Sequence, residues 1–316
     1  MIPKTSIAWL CVIVGLLATW SPAAVTLSEN GQVKATIVVA ADSPPAEKHA
    51  ATELATFLAQ ISSAPFAVAG EPNQATANIY VGPQAAAIAQ SDFSTDGLGD
   101  EGIVIRTVPN GLILAGGRPR GTLYAVYTFL EDHLGCRWWS STESTIPSKP
   151  TVVLNDIDVR YVPVLEYREP YWFDAFDGDW AARNRCNGQG HRLRAEHGGK
   201  HIYEGFVHTF FPLIPPEKYF ADHPEWFSEI DGQRKHERAQ LCLTNEDMRK
   251  ELVKNLREQL RKNPAATIAS VIVLRSSGLF SVSVATPSWM LVSTIVIPQS
   301  DKPSAARPSR GARGRT

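Results

Sequence analysis

The sequence has little cysteine and almost no net charge, and each shortage excludes a class of protein. Four cysteines occur in 316 residues, and 31 basic residues are balanced by 32 acidic ones. One of the four, Cys11, lies in an N-terminal apolar run that we expect to be removed, so the remainder allow one disulfide at most and no disulfide framework. A balanced charge gives no electrostatic case for binding nucleic acid. The fold must therefore depend on a hydrophobic core, which the 44% of apolar residues can supply.

Residues 1–24 have the pattern of a signal peptide. Lys4 provides a positive start, "IAWLCVIVGLLATW" an apolar stretch, and "SPAA" the small residues that suit cleavage near Ala23 or Ala24. We therefore expect an exported protein that is periplasmic, extracellular or on the cell surface.

Residues 25–158 alternate short strands with two amphipathic helices. Ser43 is the expected N-cap of a helix in "SPPAEKHAATELATFLAQIS", and Gly135 ends a second helix in "PRGTLYAVYTFLEDHLG". Between them, the Asn110-Gly111 pair separates two alternating apolar runs, a strong hairpin signal. Further strands are expected in "KATIVVAAD", "PFAVA" and "NIYVG". This order predicts a compact α+β domain.

Residues 159–275 have a different pattern, which indicates βα units. We predict strands in "VLEYREPYWF", "AQLCLTN" and "ATIASVIVL", and helices in "DWAARNRCNG" and "NEDMRKELVKNLREQLRKNP", with Asn245 as the N-cap of the second helix. Polar and aromatic residues follow the strands, at the edge where a (β/α)₈ barrel places its active site. The expected architecture is the α+β domain followed by an incomplete barrel of this type.

The stretch "VHTFFPLIPPEKYFADHPEWF", residues 207–227, concentrates six aromatic residues and four prolines without a regular period. Sugars pack their C–H faces on aromatic rings and need rigid polar partners, and prolines stiffen such a loop. We expect stacking on Tyr171, Trp172, Trp180, Tyr219 and Trp226, and polar contacts from Asn184, Asn187, His208, Gln240 and Arg183. The competing interpretation is that these rings form the core of a long loop, and we favour it for Phe210, Phe211, Phe220 and Phe227.

A family resemblance supports the carbohydrate interpretation. The motifs "EGIVIRTVPNGLILAGGRPRGTLYAVYTFLEDHLGCRWW", "EYREPYW", "WAARNRCNG", "HTFFPLIPPEKYFADHPEWF" and "QLCLTN" occur in order and together resemble secreted bacterial proteins of the "domain of unknown function 4838" family. That family resembles alpha-glucuronidases and, more distantly, beta-hexosaminidases. The resemblance implies an accessory α+β domain joined to a barrel that handles carbohydrate.

Glycoside hydrolysis normally needs two carboxyl groups. Glu166, Glu169 and Asp174 are the candidates, at and just beyond the end of the first predicted barrel strand. Each has a structural alternative, because the nearby Arg168, Arg183 and Arg185 offer ion pairs. The resemblance to alpha-glucuronidases implies that the catalytic acid follows the fourth strand, and no Asp or Glu occurs there between Ser270 and Asp301.

Residues 276–316 depart from the family pattern. Residues 276–300 carry no charged side chain and precede a basic end rich in Pro, Gly and Ser. This is the pattern of a membrane anchor with positive residues on the cytoplasmic side, but the alternation in "LFSVSV" and the central Pro287 favour a strand. We expect a truncated or frame-shifted barrel with a disordered tail.

These observations predict an exported carbohydrate-active protein of glycoside-hydrolase type with little or no activity, whose partner is an oligo- or polysaccharide. The alternative is a non-catalytic carbohydrate-binding or cell-surface protein.

The turn "GGRPRG" offers Arg118 and Arg120 as a cradle for an anion. No cofactor is expected, and the spacing of His191, His197, His201 and His208 matches no compact metal site.

Overall fold

A computed structural model describes residues 24–205 and 208–263, together with the backbone of strands at 268–275, 278–285 and 293–295. The chain divides into two compact units, Met1–Gly199 and Lys200–Thr316. The predicted signal peptide lies outside the described residues except for Ala24. The predicted domain limit after residue 158 lies inside the first unit and stays a prediction.

The first unit combines short strands with four α-helices in its described residues, and also has 3-10 helices at Asp174–Phe176 and Ala195–His197. The strands are β1 (Val25–Glu29), β2 (Gln32–Val33), β3 (Ala35–Val38), β4 (Val68–Ala69), β5 (Ala77–Val81), β6 (Ile103–Val108), β7 (Gly111–Gly116), β8 (Arg137–Trp138), β9 (Ser144–Thr145), β10 (Val152–Leu154) and β11 (Asp158–Tyr161). The helices are α1 (Pro45–Ser62), α2 (Pro83–Ala89), α3 (Gly121–Thr128), which continues as a π-helical segment (Phe129–Leu134), and α4 (Gly178–Arg183).

A six-stranded mixed sheet in the order β11-β6-β7-β5-β3-β4 organises this unit. Strands β3, β4, β5 and β7 pair in parallel, whereas β6 pairs antiparallel with both β7 and β11. Side chains alternate between the faces, so Ile105 packs in the core with α1 and α3 while Val104 packs with Ala86 of α2. The predicted α+β domain is therefore confirmed as a mixed α/β unit with helices on both faces of its sheet.

Local signals explain most of these elements, with one correction. The predicted hairpin is β6–β7, in which Val108 pairs with Gly111, so Pro109 and Asn110 form the turn and Asn110 adopts a φ of 53°. Gly135, with a φ of 91°, follows the π-helical segment as expected. The predicted N-cap is wrong: α1 begins after Pro44, and the buried Ser43 hydroxyl lies 3.4 Å from Gln84 Oε1 instead.

Two glycines allow the end of β7 to meet the start of α3. A Cβ atom on Gly116 would lie 2.4 Å from the carbonyl oxygen of Gly102, and a Cβ on Gly121 would lie 2.4 Å from the same atom. Real Cβ atoms do not come this close to backbone, so even alanine cannot fit without shifting the strand or the helix.

The second unit contains strands β12 (Tyr203–Glu204), β13 (Glu229–Ile230), β14 (Gln233–Arg234), β15 (Ile268–Arg275), β16 (Gly278–Ala285) and β17 (Ser293–Ile295). Its helices are α5 (Phe210–Leu213), α6 (Pro216–Tyr219) and α7 (Glu246–Lys262). As predicted, Asn245 caps α7, and its side chain accepts a 2.9 Å hydrogen bond from the Met248 N–H.

Two predicted barrel strands are absent. Residues 162–173 form no strand, because Pro163 and Pro170 interrupt the segment and its apolar side chains Val164 and Leu165 face solvent. Residues 239–245 contribute only one isolated bridge, between Leu241 and Phe227. In the described part of this unit, β12 and β15 form a parallel pair, and β15 then pairs antiparallel with β16 over eight residues. The incomplete barrel therefore stays a prediction.

The alternating stretch of the C-terminal tail lies in strand β16. Residues 276–277, 286–292 and 296–316 of the tail are outside the described residues, as are most of the features on which the membrane-anchor alternative depends. Among the helices that the structure describes, none has both the length and the apolar character needed to cross a bilayer.

Candidate functional site

The first unit presents an exposed aromatic segment, which we define as residues 171–173. Tyr171, Trp172 and Phe173 have exposed fractions of 70%, 46% and 87%. Trp172 packs its edge on Trp180 with ring centroids 5.5 Å apart, and Tyr171 contacts Phe176 at 5.1 Å. These contacts hold Tyr171 and Trp172 in place, and both residues keep an exposed surface that a ligand can reach.

A second exposed tryptophan belongs to the loop that borders this segment. Trp139 is 60% exposed, and its indole nitrogen donates to Thr145 Oγ1 at 2.9 Å. Asp174, next to the exposed aromatic segment, accepts hydrogen bonds from the backbone nitrogen and the hydroxyl of Ser141 at 3.2 and 2.7 Å. The Asp174 carboxylate therefore joins the Trp139 loop to the segment, so both belong to one surface.

A buried polar network, rather than burial of the rings, holds the chain just before this segment. The Glu101 carboxylate accepts from Arg120 Nε at 2.6 Å and from Asn187 Nδ2 at 2.7 Å, and it also pairs with Arg168. Asn187 in turn accepts the Arg168 backbone N–H at 2.8 Å and donates to the Glu166 carbonyl at 2.7 Å. Because Glu101 and Asn187 are almost fully inaccessible, these bonds fix the backbone of residues 166–168 without using any exposed ring.

Three predicted polar contacts have structural partners. Asn187 belongs to the network just described, Asn184 Nδ2 donates to the carbonyl of Trp180 at 3.0 Å, and Arg183 pairs with Glu53 at 3.0 Å. The Tyr127 hydroxyl donates to the same Glu53 carboxylate at 3.0 Å. Each of these side chains stabilises the first unit, so the structure provides no support for a substrate contact by Asn184 or Asn187.

The predicted stacking residues Trp180 and Trp226 are core residues. Trp180 is 8% exposed and donates its indole N–H to the Trp138 carbonyl at 3.1 Å. Trp226 is 7% exposed and lies flat on His223, with centroids 4.1 Å apart. Because neither indole has much open surface, the structure does not support them as stacking platforms, and the same holds for the buried Tyr219.

The core interpretation is confirmed for the four phenylalanines of the second aromatic segment, residues 208–227. Phe227 is fully buried, and the other three rings pack against the same cluster, which includes the leucines of α7. His208, with a φ of 55°, and Gln240 are exposed, and the Gln240 carbonyl accepts from Ser228. The structure therefore leaves these two side chains as predictions for ligand contact.

The candidate carboxylates lie near the exposed aromatic segment along the chain. Glu166 is exposed, whereas the Glu169 carboxylate accepts from the Tyr167 hydroxyl and from the Gly190 backbone N–H. Asp174 accepts from Ser141 as described. Glu169 and Asp174 thus hold loops together, and a catalytic role for any of the three stays a prediction.

The anion cradle predicted in "GGRPRG" is not available. Arg118 Nε donates to the buried Glu47 carboxylate at 2.8 Å, and Arg120 is paired with Glu101. Both guanidinium groups are thus neutralised within the fold. In the described residues, no three His, Cys, Asp or Glu side chains come together as metal ligands.

Sequence reasoning missed Trp139, Phe173 and Glu101. The adjacent tryptophans of "CRWWSS" were a usable signal, because one of two neighbours in an extended chain must point away from the core. Trp138 is the buried member and Trp139 the exposed one.

Two known protein families match separate parts of the chain. Residues 22–129 match the family described as glycosyl hydrolase family 67 N-terminus. Residues 138–275 match domain of unknown function DUF4838, which confirms the resemblance predicted from the motifs. No curated protein matches the chain.

The solved structures that are similar to the chain include two carbohydrate-active enzymes. One is a family GH115 4-O-methyl-alpha-glucuronidase with specificity for decorated arabinogalactans, at 14% identity and a TM-score of 0.45 over 75% of this chain. The other is a mutant Streptomyces plicatus beta-hexosaminidase in complex with its product GlcNAc, at 14% identity and a TM-score of 0.34 over 76% of this chain. The match covers 41% of the first protein and 55% of the second.

Proposed function

We propose that this chain is an exported carbohydrate-active protein of glycoside-hydrolase type that binds an oligo- or polysaccharide on the surface formed by Trp139 and the exposed aromatic segment. The observation that carries the proposal is the exposure of Trp172 and its neighbours, just after the backbone of residues 166–168 that the Glu101 network holds. Sugar rings stack on such surfaces, and a fixed backbone lowers the entropy lost on binding. The family 67 N-terminal match supports the same class of ligand.

In this proposal the region from residue 159 is the beginning of a (β/α)₈ barrel, and hydrolysis is weak or absent. Residues 270–300 carry no Asp or Glu, although glycoside hydrolysis normally uses two carboxyl groups. Glu166, Glu169 and Asp174 are the candidates that remain.

The competing function is non-catalytic binding of carbohydrate. The observation that favours it is that Glu169 and Asp174 are already engaged in hydrogen bonds within the fold. A catalytic carboxylate has to be within hydrogen-bond reach of the substrate proton, and these bonds instead hold both carboxylates against loops of the fold.

One set of assays separates these functions. We expect xylan and arabinogalactan oligosaccharides to quench tryptophan fluorescence saturably, with Trp172→Ala weakening binding at least fivefold and Trp172→Phe, which keeps a ring, weakening it less. Val164→Ala, at a side chain that is 89% exposed, is the matched control and should not change affinity.

The same oligosaccharides and aryl glucuronides are then assayed for hydrolysis. Turnover that is lost in Glu166→Gln, Glu169→Gln or Asp174→Asn supports the glycosidase. Saturable quenching without turnover supports the binding protein. If no sugar is bound or cleaved, or if Trp172→Ala binds as tightly as the wild type, the proposed site is wrong.

A further inference from the structure

A cleft of about 360 Å³ lies in the first unit, on the face of the six-stranded sheet that carries α2. It is lined by the loop that follows α2, residues 90–96, by Arg106 of β6 and by Arg160 of β11. Its volume falls within the range of about 300–1,000 Å³ that is usual for small-molecule sites. None of its lining residues belongs to the exposed aromatic segment or to the carboxylates considered above.

The register of β6 and β11 places the two arginines side by side. Arg106 pairs with Asp158 across the strands and Arg160 pairs with Val104, so both guanidinium groups leave the same face of the sheet two residues apart. Arg106 Nε donates to Asp158 at 2.7 Å, and its Nη1 donates to Gln90 Oε1 at 3.3 Å. Arg160 Nη1 donates to the Ser94 carbonyl at 3.2 Å. These bonds orient both side chains toward the loop.

Both arginines keep hydrogen-bond donors available. Within the described residues, Arg106 Nη2 and Arg160 Nε have no hydrogen-bond partner. The cleft therefore has arginine N–H groups whose positions are fixed and which can still donate a hydrogen bond to a ligand.

Acceptors and an apolar surface complete the lining. Asp92 and Asp96 line the cleft as exposed residues, and neither carboxylate has a hydrogen-bond or ion-pair partner in the described part of the chain. Between them along the loop lies Phe93, which packs partly against the core beneath α2 and keeps part of its ring accessible.

We propose that this cleft binds a neutral sugar ring and is a carbohydrate site separate from the exposed aromatic segment. Two guanidinium groups stand beside three carboxylates, those of Asp92, Asp96 and Asp158, so an anionic ligand would meet unfavourable charge. A sugar hydroxyl can both accept from an arginine and donate to an aspartate, and the C–H face of a sugar can pack on Phe93. This mixture of fixed donors, free acceptors and one ring matches a neutral polyhydroxylated ligand.

Calorimetric titration of the full chain tests this site, using xylotriose, galactotriose and arabinotriose as neutral probes and glucuronic acid as a charged one. The titrations are made in a Trp172→Ala background, so that binding at the exposed aromatic segment contributes little to the measured heat. We expect at least one neutral trisaccharide to bind, and an Asp92→Asn, Asp96→Asn double variant to lower its affinity at least tenfold. Neither carboxylate holds a contact in the fold, so the variant should keep its unfolding temperature.

Asp132→Asn is the matched control, because Asp132 is an exposed aspartate of the same unit outside the cleft, and it should bind as the parent does. The inference is overturned if no neutral trisaccharide binds, or if the double variant binds it as tightly as the parent. It is also overturned if glucuronic acid binds more tightly than every neutral probe. Because the cleft contains no tryptophan, success or failure here is independent of the fluorescence test of the aromatic site.

Discussion

The two aromatic segments of this protein have similar compositions and opposite environments. In the first unit, Tyr171, Trp172 and Phe173 are 46% to 87% exposed, whereas in the second unit Tyr219, Trp226 and Phe227 are at most 7% exposed. The difference lies in what holds each backbone. A buried polar network around Glu101 fixes the chain before the first segment, while the apolar face of α7 covers the second. The two segments therefore show that a cluster of aromatic residues can be either a solvent-exposed surface or part of a core.

The test with the largest expected effect on stability removes one ring from each segment. Phe227→Ala should lower the free energy of unfolding of the second unit by about 3–5 kcal/mol, because the ring is fully buried and leaves a cavity. Phe173→Ala should change stability by no more than about 0.5 kcal/mol, because its ring is 87% exposed. Hydrogen exchange of the α7 amides and of the α3 amides under increasing denaturant measures each unit separately. Equal losses from the two substitutions would contradict the contrast.

The second test removes the polar support of the exposed segment. Glu101→Ala leaves the partners Arg120 and Arg168 without their buried carboxylate and should cost about 3 kcal/mol in the first unit. It should also weaken oligosaccharide binding at Trp172, since the backbone before that residue is released.

The matched control is Asp100→Ala. Asp100 is 65% exposed and lies 3.7 Å from Arg120, so its loss should cost at most about 1 kcal/mol. Hydrogen exchange of the α3 amides under increasing denaturant measures the free energy of unfolding of both variants. If Glu101→Ala were no more destabilising than Asp100→Ala, the network would not be what holds the segment.

The smallest predicted effect concerns pH and distinguishes the thiols of the two units. Burial raises the pKa of Cys136 and of Cys186, both in the first unit, to about 11. Above the ordinary value of 9.0 the unfolded chain loses these protons while the folded chain keeps them. The stability of the first unit should therefore change little below about pH 9 and fall by on the order of 2 kcal/mol, for the two thiols together, as the pH rises from about 9 to about 10.

A double variant isolates this contribution. Cys136→Ala with Cys186→Ala should flatten the decline, whereas Cys242→Ala, at a half-buried thiol of the second unit, should not. Urea midpoints between pH 8 and 11 give the comparison. An identical slope in the double variant and the parent would assign the alkaline loss to other groups.

Local sequence signals predicted the regular elements well. The three- and four-residue spacing of apolar side chains gave α1, α3 and α7, and Asn110-Gly111 gave the β6–β7 hairpin, because each signal acts within a few residues. The strand predicted over residues 164–173 failed for a local reason too, since Pro163 and Pro170 could have excluded it.

The environments of the aromatic residues could not be predicted in this way. The environment of each tryptophan depends on residues elsewhere in the chain: Trp172 contacts Trp180 in an edge-to-face arrangement, whereas Trp226 packs in the cluster that includes Leu252 of α7. No periodicity within "EPYWF" or "HPEWF" contains that information. The resemblance to a carbohydrate-related family was visible in the motifs, but it did not distinguish a ring that can stack on a ligand from one that packs in the core.

The glycines at 116 and 121 bear on how related sequences should be interpreted. Because β7 and α3 touch there through backbone alone, any side chain at these positions would push the six-stranded sheet and its covering helix apart. If homologues retain glycine at both positions, that retention would record a steric requirement of the scaffold, and it would carry no information about which polymer the protein recognises.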